Sequence, residues 1–108
     1  MNFIEVASVD EIPPGNMKSF SVEGKDILVV NYNGNYHAIG GKCTHRGGGL
    51  SQGKLEGKIV TCPRHGAKFE VTTGNCIAGP KIGILRLKTK NETTYETRVE
   101  GKSIKIRV

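Results

Sequence analysis

Hydrophobic and polar residues along the chain follow strand patterns, with turn sequences between them. Residues 17–22 alternate as in a half-buried strand, and the apolar run 27–30 predicts a buried strand. Asn33-Gly34 predicts a tight hairpin turn. The predicted strands are residues 2–7, 17–22, 27–30, 36–39, 82–89, 94–99 and 103–108. No stretch of ten residues keeps a helical period, so we expect an all-β fold with an antiparallel scaffold.

The segment from Gly40 to Pro80 differs from the rest of the chain. Glycines are frequent there, its strands are expected to be short, and it contains all three cysteines and two of the three histidines. The 108 residues are the size of one domain. We therefore predict a single domain, 1–108, in which a loop-rich insert of about residues 40–80 interrupts the β scaffold.

Composition and the apolar segments bear on the size of the hydrophobic core and on the expected cellular location. Hydrophobic residues make up 36% of the chain and there is no Trp, so a contribution to stability from a metal site would be unsurprising. The first residues lack the charged and apolar regions of a signal peptide, and no apolar run approaches the roughly 18 residues of a membrane span. We expect a soluble, cytoplasmic protein that does not bind membranes.

The charge balance is basic, with 16 Lys and Arg against 10 Asp and Glu, a net charge of +6. Basic chains often bind nucleic acid. Here the basic residues are scattered and aromatic residues are few, so we expect an acidic protein partner instead and no nucleic acid. Three cysteines, an odd number, favour metal binding over a disulfide framework.

Two short motifs carry metal-binding chemistry. Cys43-Thr44-His45 and Cys62-Pro63-Arg64-His65 each offer one thiolate and one imidazole, and sixteen residues separate His45 from Cys62. Zinc accepts two Cys and two His, but zinc fingers pair Cys with Cys and His with His. Mixed motifs suit a two-iron centre in which the cysteines bind one iron and the histidines the other.

The chain resembles the Rieske ferredoxin family, whose pattern is Cys-x-His, about sixteen residues, then Cys-x-x-His. The resemblance extends to further segments along nearly the whole chain, namely Ile12-Pro13-Pro14-Gly15, Asn33-Gly34, Leu50-Ser51-Gln52-Gly53, Phe69-Glu70, Thr73-Gly74 and Gly79-Pro80. It implies a Rieske-type fold with a cluster-binding subdomain. It also implies one [2Fe–2S] cluster, bound by Cys43, His45, Cys62 and His65.

The same resemblance implies a one-electron carrier, not an enzyme, that acts between a reductase and a terminal acceptor such as a Rieske oxygenase. High-potential relatives carry a disulfide between the two loops and hydroxyl donors near the cluster. Here Gly48 and Arg64 stand at the cysteine positions, while Ala67 and Phe69 replace the Ser and the Tyr. We expect a reduction potential at the low end of the range of roughly −150 to +300 mV. A monomer is the expected state.

The residues also bear on two other functions, an oxygenase and a structural or regulatory subunit. An oxygenase needs a further iron site of two His and a carboxylate, and only His37 would remain for it. A structural or regulatory subunit of a larger redox complex, loaded with zinc or a cluster, is the alternative. Dioxygenase ferredoxins are frequently acidic, so the basic charge leaves a different acceptor open.

Three further features have specific interpretations. Cys76 is expected to be a small packing residue beside the cluster loops, and His37 an ordinary surface or edge histidine. The four cations that flank the motifs predict a docking face for an acidic partner; they are Lys42, Arg46, Arg64 and Lys68.

Overall fold

The computed structural model describes residues 3–41, 49–63, 66–78, 81–82, 85–86 and 91–107. These residues form twelve strands and two three-residue 3-10 helices, Val9–Glu11 and Leu50–Gln52. The strands are β1 Phe3–Ser8, β2 Met17–Val22, β3 Lys25–Tyr32, β4 Asn35–Gly40, β5 Lys54–Glu56, β6 Ile59–Thr61, β7 Lys68–Glu70, β8 Cys76–Ala78, β9 Lys81–Ile82, β10 Leu85–Arg86, β11 Thr94–Glu100 and β12 Ser103–Arg107. The prediction of an all-β fold is confirmed.

Six of the strands form an antiparallel sheet in the order β1-β12-β11-β4-β3-β2. Tyr32 pairs with Asn35, so β3 and β4 are joined by the predicted two-residue turn at Asn33-Gly34. Both turn residues have positive φ, 51° and 87°, as a hairpin turn of this twist requires. Glycine and asparagine adopt that conformation more readily than other residues, which is why this turn was recognisable.

Strand β3, which lies between β4 and β2, is buried on both faces along its middle residues. Ile27 and Val29 contribute to one hydrophobic core, with Ala38, Ile104 and Ile106. Leu28 and Val30 contribute to a second core, with Ile39 and residues of the middle segment. Because successive side chains of a strand point to opposite faces, the uninterrupted apolar run in 27–30 is what a strand between two cores needs.

The middle segment contains a second antiparallel sheet, in the order β5-β6-β7-β8. Val60 and Phe69, paired across β6 and β7, cover the second core. The segment 40–80 was predicted to be loop-rich with short strands, and the four strands of this sheet have three residues each. The four-stranded sheet β5-β6-β7-β8 is called the small sheet below.

The predicted single strand at 82–89 is wrong. Ile82 pairs with Leu85 and Lys81 with Arg86 in antiparallel register, so the chain reverses between β9 and β10. The two residues between these strands, 83–84, lie outside the described residues.

Helices are minor elements of the fold. The two 3-10 helices of the described residues have three residues each, and no helix there is long and apolar enough to cross a membrane.

Candidate metal centre

The connection between β6 and β7 positions Cys62. Cys62 directly follows β6, and its backbone N–H donates to the carbonyl of Ala67 at 2.7 Å. Its own carbonyl accepts a hydrogen bond from the Gly66 N–H at 3.2 Å. These two bonds close a short loop between the strands, so the backbone of Cys62 is fixed by the small sheet itself.

The surroundings of Cys62 are apolar. Its side chain is 3% exposed and belongs to the second core, together with the fully buried Ala67, Phe69 and Val60. An apolar shell around a metal ligand limits solvent access and lowers the local dielectric constant, both of which affect redox potential. The residues at 67 and 69 bring no hydroxyl group into this shell.

The other three predicted ligands, Cys43, His45 and His65, lie outside the described residues. The residues that flank the first motif, Gly41 on one side and Gly49 and Leu50 on the other, are described. The Gly41 N–H donates to the Asp26 carbonyl at 2.8 Å, and the Leu50 N–H donates to the Gly41 carbonyl at 2.9 Å. Leu50 is fully buried in the same core as Cys62. The two described residues on either side of the first motif are thus hydrogen-bonded to each other, and Leu50 belongs to the core that contains Cys62.

Gly53 permits a close approach beside Cys62. A Cβ at this position would overlap the backbone carbonyl of Thr61, the residue before Cys62. The Gly53 N–H also donates to the Leu50 carbonyl at 2.9 Å. From the sequence alone, Gly53 is recognisable only as part of the family-like segment 50–53. Its steric role depends on the pairing of β5 with β6, which the sequence did not reveal.

A buried carboxylate lies where the two sheets meet, and sequence reasoning missed it. Glu92 is 7% exposed, and its backbone N–H donates to the Gly74 carbonyl at 2.7 Å. Its carboxylate contacts the α-carbon side of Gly40, where a Cβ would overlap it. The two glycines leave room for Glu92, but no local pattern in the sequence distinguishes this glutamate from the exposed ones.

Cys76 and His37, the cysteine and the histidine outside the two motifs, lie in strands. Cys76 is half-buried in β8 and packs against the second core, as predicted, and its backbone N–H donates to the Asn91 side-chain oxygen at 2.8 Å. His37 is half-buried in β4 opposite Val30. Among the described residues no three His, Cys, Asp or Glu side chains group together as a metal site would require.

The charged residues around the site are partly described. Lys68 is exposed in β7, whereas Lys42, Arg46 and Arg64 of the predicted docking face lie outside the described residues. At the other end of β7, the Glu70 carboxylate accepts hydrogen bonds from the Thr72 and Thr73 hydroxyls, at 2.6 and 3.1 Å. These bonds hold the pKa of Glu70 below its ordinary value of 4.5, and Lys58 at 3.6 Å acts in the same direction.

Comparison with known proteins identifies the family. Residues 2–91 match the Rieske [2Fe-2S] domain. The chain belongs to the Rieske family. Against the ferredoxin component of the naphthalene 1,2-dioxygenase system of Pseudomonas aeruginosa, it is 33% identical over 104 residues, which are 96% of this chain and 93% of that protein.

Solved structures agree with this assignment. The ferredoxin of carbazole 1,9a-dioxygenase from Nocardioides aromaticivorans IC177 superposes with a TM-score of 0.81 at 27% identity, covering 98% of this chain and 97% of that one. A chain in a complex of reduced oxygenase and oxidized ferredoxin of carbazole 1,9a-dioxygenase gives a TM-score of 0.84 at 25% identity. The match covers 96% of this chain and 100% of that chain.

Membership of the Rieske family defines the cofactor and the type of protein. This Rieske protein uses one [2Fe–2S] cluster. Its relatives are ferredoxin components, and the match extends over nearly their whole length. The protein is therefore an electron carrier that serves an oxidoreductase system, and not the catalytic subunit.

Proposed function

We propose that the protein carries single electrons in the cytoplasm from a reductase to the terminal oxygenase of an aromatic-ring dioxygenase system. The observation that carries this proposal is the near full-length match, 96% of this chain and 93% of the naphthalene system's ferredoxin component. A further support is the neighbour in a complex of oxygenase with ferredoxin, whose fold this chain shares.

The proposed ligands are Cys43, His45, Cys62 and His65. Two thiolates and two imidazoles are the donor set that a Rieske cluster takes, and the buried thiol of Cys62 in an apolar core fits it. When bound, the cluster supplies a site that accepts and releases one electron. With this donor set the oxidised centre has no net charge, so reduction creates one negative charge only.

The surrounding residues set the properties of the centre. Gly48 and Arg64 stand where high-potential relatives carry the bridging cysteines, so this chain lacks that disulfide, while backbone hydrogen bonds join Cys62 to Ala67 and Gly41 to Asp26. Ala67 and Phe69 supply no hydroxyl donors to the core around Cys62. We therefore infer a potential at the low end of the Rieske range, because fewer hydrogen bonds to sulfur leave the reduced state less stabilised.

The ligand assignment is tested by electron paramagnetic resonance of the dithionite-reduced protein, with iron and zinc quantified on the same sample. A rhombic signal with a low average g and two irons per chain is expected. Cys62→Ser and His65→Gln should each abolish this signal, whereas the controls Cys76→Ser and His37→Gln should retain it. Zinc without a signal would overturn the proposal and favour a structural subunit.

The transfer function is tested in a reconstituted system that contains a reductase, this protein and the oxygenase component of the naphthalene or biphenyl system. Substrate hydroxylation should require this protein and increase with its concentration. A protein that holds its cluster and yet supports no turnover with either oxygenase would contradict the proposed acceptor.

A further inference from the structure

One face of the small sheet carries a row of basic residues. Lys54 pairs with Thr61 across β5 and β6, and Thr61 pairs with Lys68 across β6 and β7. Residues paired in antiparallel strands point to the same face. The adjacent row contains Val60 and Phe69, which point into the second core. The row of Lys54, Thr61 and Lys68, here called the basic row, therefore faces outward.

The basic row lies beside the candidate metal centre. Thr61 immediately precedes Cys62, so the row forms the end of the sheet from which this ligand continues. Lys54 and Lys68 are both exposed, and neither forms an ion pair with a described residue. Two strand spacings separate them, about 10 Å.

The same outer face becomes acidic two residues further from Cys62. Glu56 pairs with Ile59, and Ile59 pairs with Glu70. Side chains two residues apart in a strand point to the same face, so these residues share the face of the basic row. Lys58 lies 3.6 Å from Glu70 and neutralises part of this charge. The face thus has a positive end at Cys62 and a negative end away from it.

An exposed apolar side chain lies at the edge of this face. Ile77 is 54% exposed, and it is the additional residue of a bulge in β8, because Lys68 pairs with Ala78 and Phe69 with Cys76. Protein interfaces combine an apolar contact with a charged rim that steers association and fixes orientation. Ile77 beside Lys68 provides that combination.

We propose that the basic row and Ile77 form the docking surface for an acidic patch on the terminal oxygenase that accepts the electron. This inference rests on the proposed function and adds the chemistry of recognition. Charge complementarity selects an acidic partner surface, and the opposite charges at the two ends of the face orient it with the oxygenase nearest Cys62. Electron transfer requires that orientation, because Cys62 directly follows Thr61 at the basic end of the face.

The test compares two variants with the same change in net charge. Lys54→Glu with Lys68→Glu reverses the basic row. Arg98→Glu with Lys102→Glu is the control, since both residues are exposed and lie toward the β11–β12 turn, away from the Gly74–Glu92 contact between the sheets. Lys54→Gln with Lys68→Gln removes the charge without reversing it and covers the case in which the Glu variant folds poorly.

Stopped-flow oxidation of the reduced variants uses electron acceptors at ionic strengths from about 10 to 150 mM. These are of three kinds: anionic hexacyanoferrate(III), cationic hexaammineruthenium(III), and an oxygenase component, for which both the naphthalene and the biphenyl proteins are used. At low salt, reversal of the basic row should slow transfer to the anion and to an oxygenase about tenfold, and accelerate transfer to the cation. The transfer rates of the Gln variant should lie between those of the unmodified protein and of the Lys54→Glu, Lys68→Glu variant. The control variant should change each rate less than twofold.

The outcomes separate the two proposals. Suppose that the unmodified protein reduces an oxygenase. If reversal of the basic row and the Arg98→Glu, Lys102→Glu control then slow this transfer equally, or if reversal of the basic row speeds it, the docking surface is overturned and the proposed function stands. If the unmodified protein reduces neither oxygenase, the proposed function fails and the docking surface fails with it.

Discussion

At the scale of single residues, the side chain at 69 is the clearest control point for the reduction potential. Phe69 is fully buried in the core that contains Cys62. Phe69→Tyr would introduce a hydroxyl donor there, and a hydrogen bond that strengthens by about 1 kcal/mol on reduction raises a one-electron potential by about 40 mV. We expect a rise of that order in protein-film voltammetry. Phe69→Met, which is apolar, should not raise the potential, and an equal rise in both variants would contradict the argument.

Gly53 is the residue at which the backbone itself limits substitution. Its missing Cβ makes room for the Thr61 carbonyl, which is rigid backbone and cannot rotate away. Gly53→Ala should therefore destabilise the protein by about 2 kcal/mol or more, and it should accelerate cluster loss because Thr61 precedes Cys62.

Gly49→Ala is the matched control for this prediction. Gly49 directly precedes the 3-10 helix Leu50–Gln52, and Gly53 directly follows it. Gly49 has a φ of −70°, and the nearest contact of an added Cβ would be the Gln52 side chain at 3.9 Å. Urea unfolding of the two variants measures the difference. Equal midpoints would show that the Gly53–Thr61 contact has no importance for stability.

At the scale of elements, the turn after β7 depends on an ionised carboxylate. Hydrogen bonds from Thr72 and Thr73 hold the pKa of Glu70 below 4.5 in the folded protein. A lowered folded pKa adds stability that is complete above the unfolded value and is lost as the pH falls through the folded value. The melting temperature of the wild type should therefore exceed that of Glu70→Gln at pH 6, and the difference should shrink below about pH 4.5.

Thr72→Val provides the control for the acid dependence. It removes the 2.6 Å hydrogen bond, the largest cause of the lowered pKa of Glu70, so its own acid dependence should be weaker. Thermal unfolding between about pH 3 and pH 6 follows both variants. A gap between wild type and Glu70→Gln that stays constant over this range would refute the prediction.

Element length explains which strands could be predicted. The hydrophobic pattern located β2, β3, β4, β11 and β12 to within two residues at each end, because each of these strands has at least five residues and is bounded by turn sequences. The strands of the small sheet have three residues, which is too short to show a period of two. The segment 82–89 looked continuous because apolar residues occur on both sides of the reversal between β9 and β10.

The candidate site was predictable in its chemistry and not in its shape. The sequence predicts Cys62 as a ligand from the two motifs and their resemblance to the Rieske pattern, because donor types are written directly in the sequence. Gly53, Glu92 and Lys54 were missed, since their roles arise from contacts between strands that are not adjacent in the sequence. Register, and not composition, aligns Lys54 with Lys68.

At the scale of the whole molecule, β3 joins the two cores into one unit. Val29 and Val30 are consecutive and fully buried, and they face different cores. Val29→Ala and Val30→Ala remove the same atoms, so each should cost about 2–3 kcal/mol. Because one strand supplies both cores, neither core should unfold without the other, and a single cooperative transition is expected.

The measurement follows two signals in urea for the wild type and both valine variants. Visible absorbance reports the cluster beside the second core, and far-UV circular dichroism reports all the strands. We expect the two signals to decay with one rate constant in each protein, and Val29→Ala to hasten cluster loss as much as Val30→Ala, although its side chain points away from Cys62. If absorbance were lost first, and only in Val30→Ala, the small sheet would be a separate unit on the six-stranded scaffold, and the single domain predicted for residues 1–108 would be wrong.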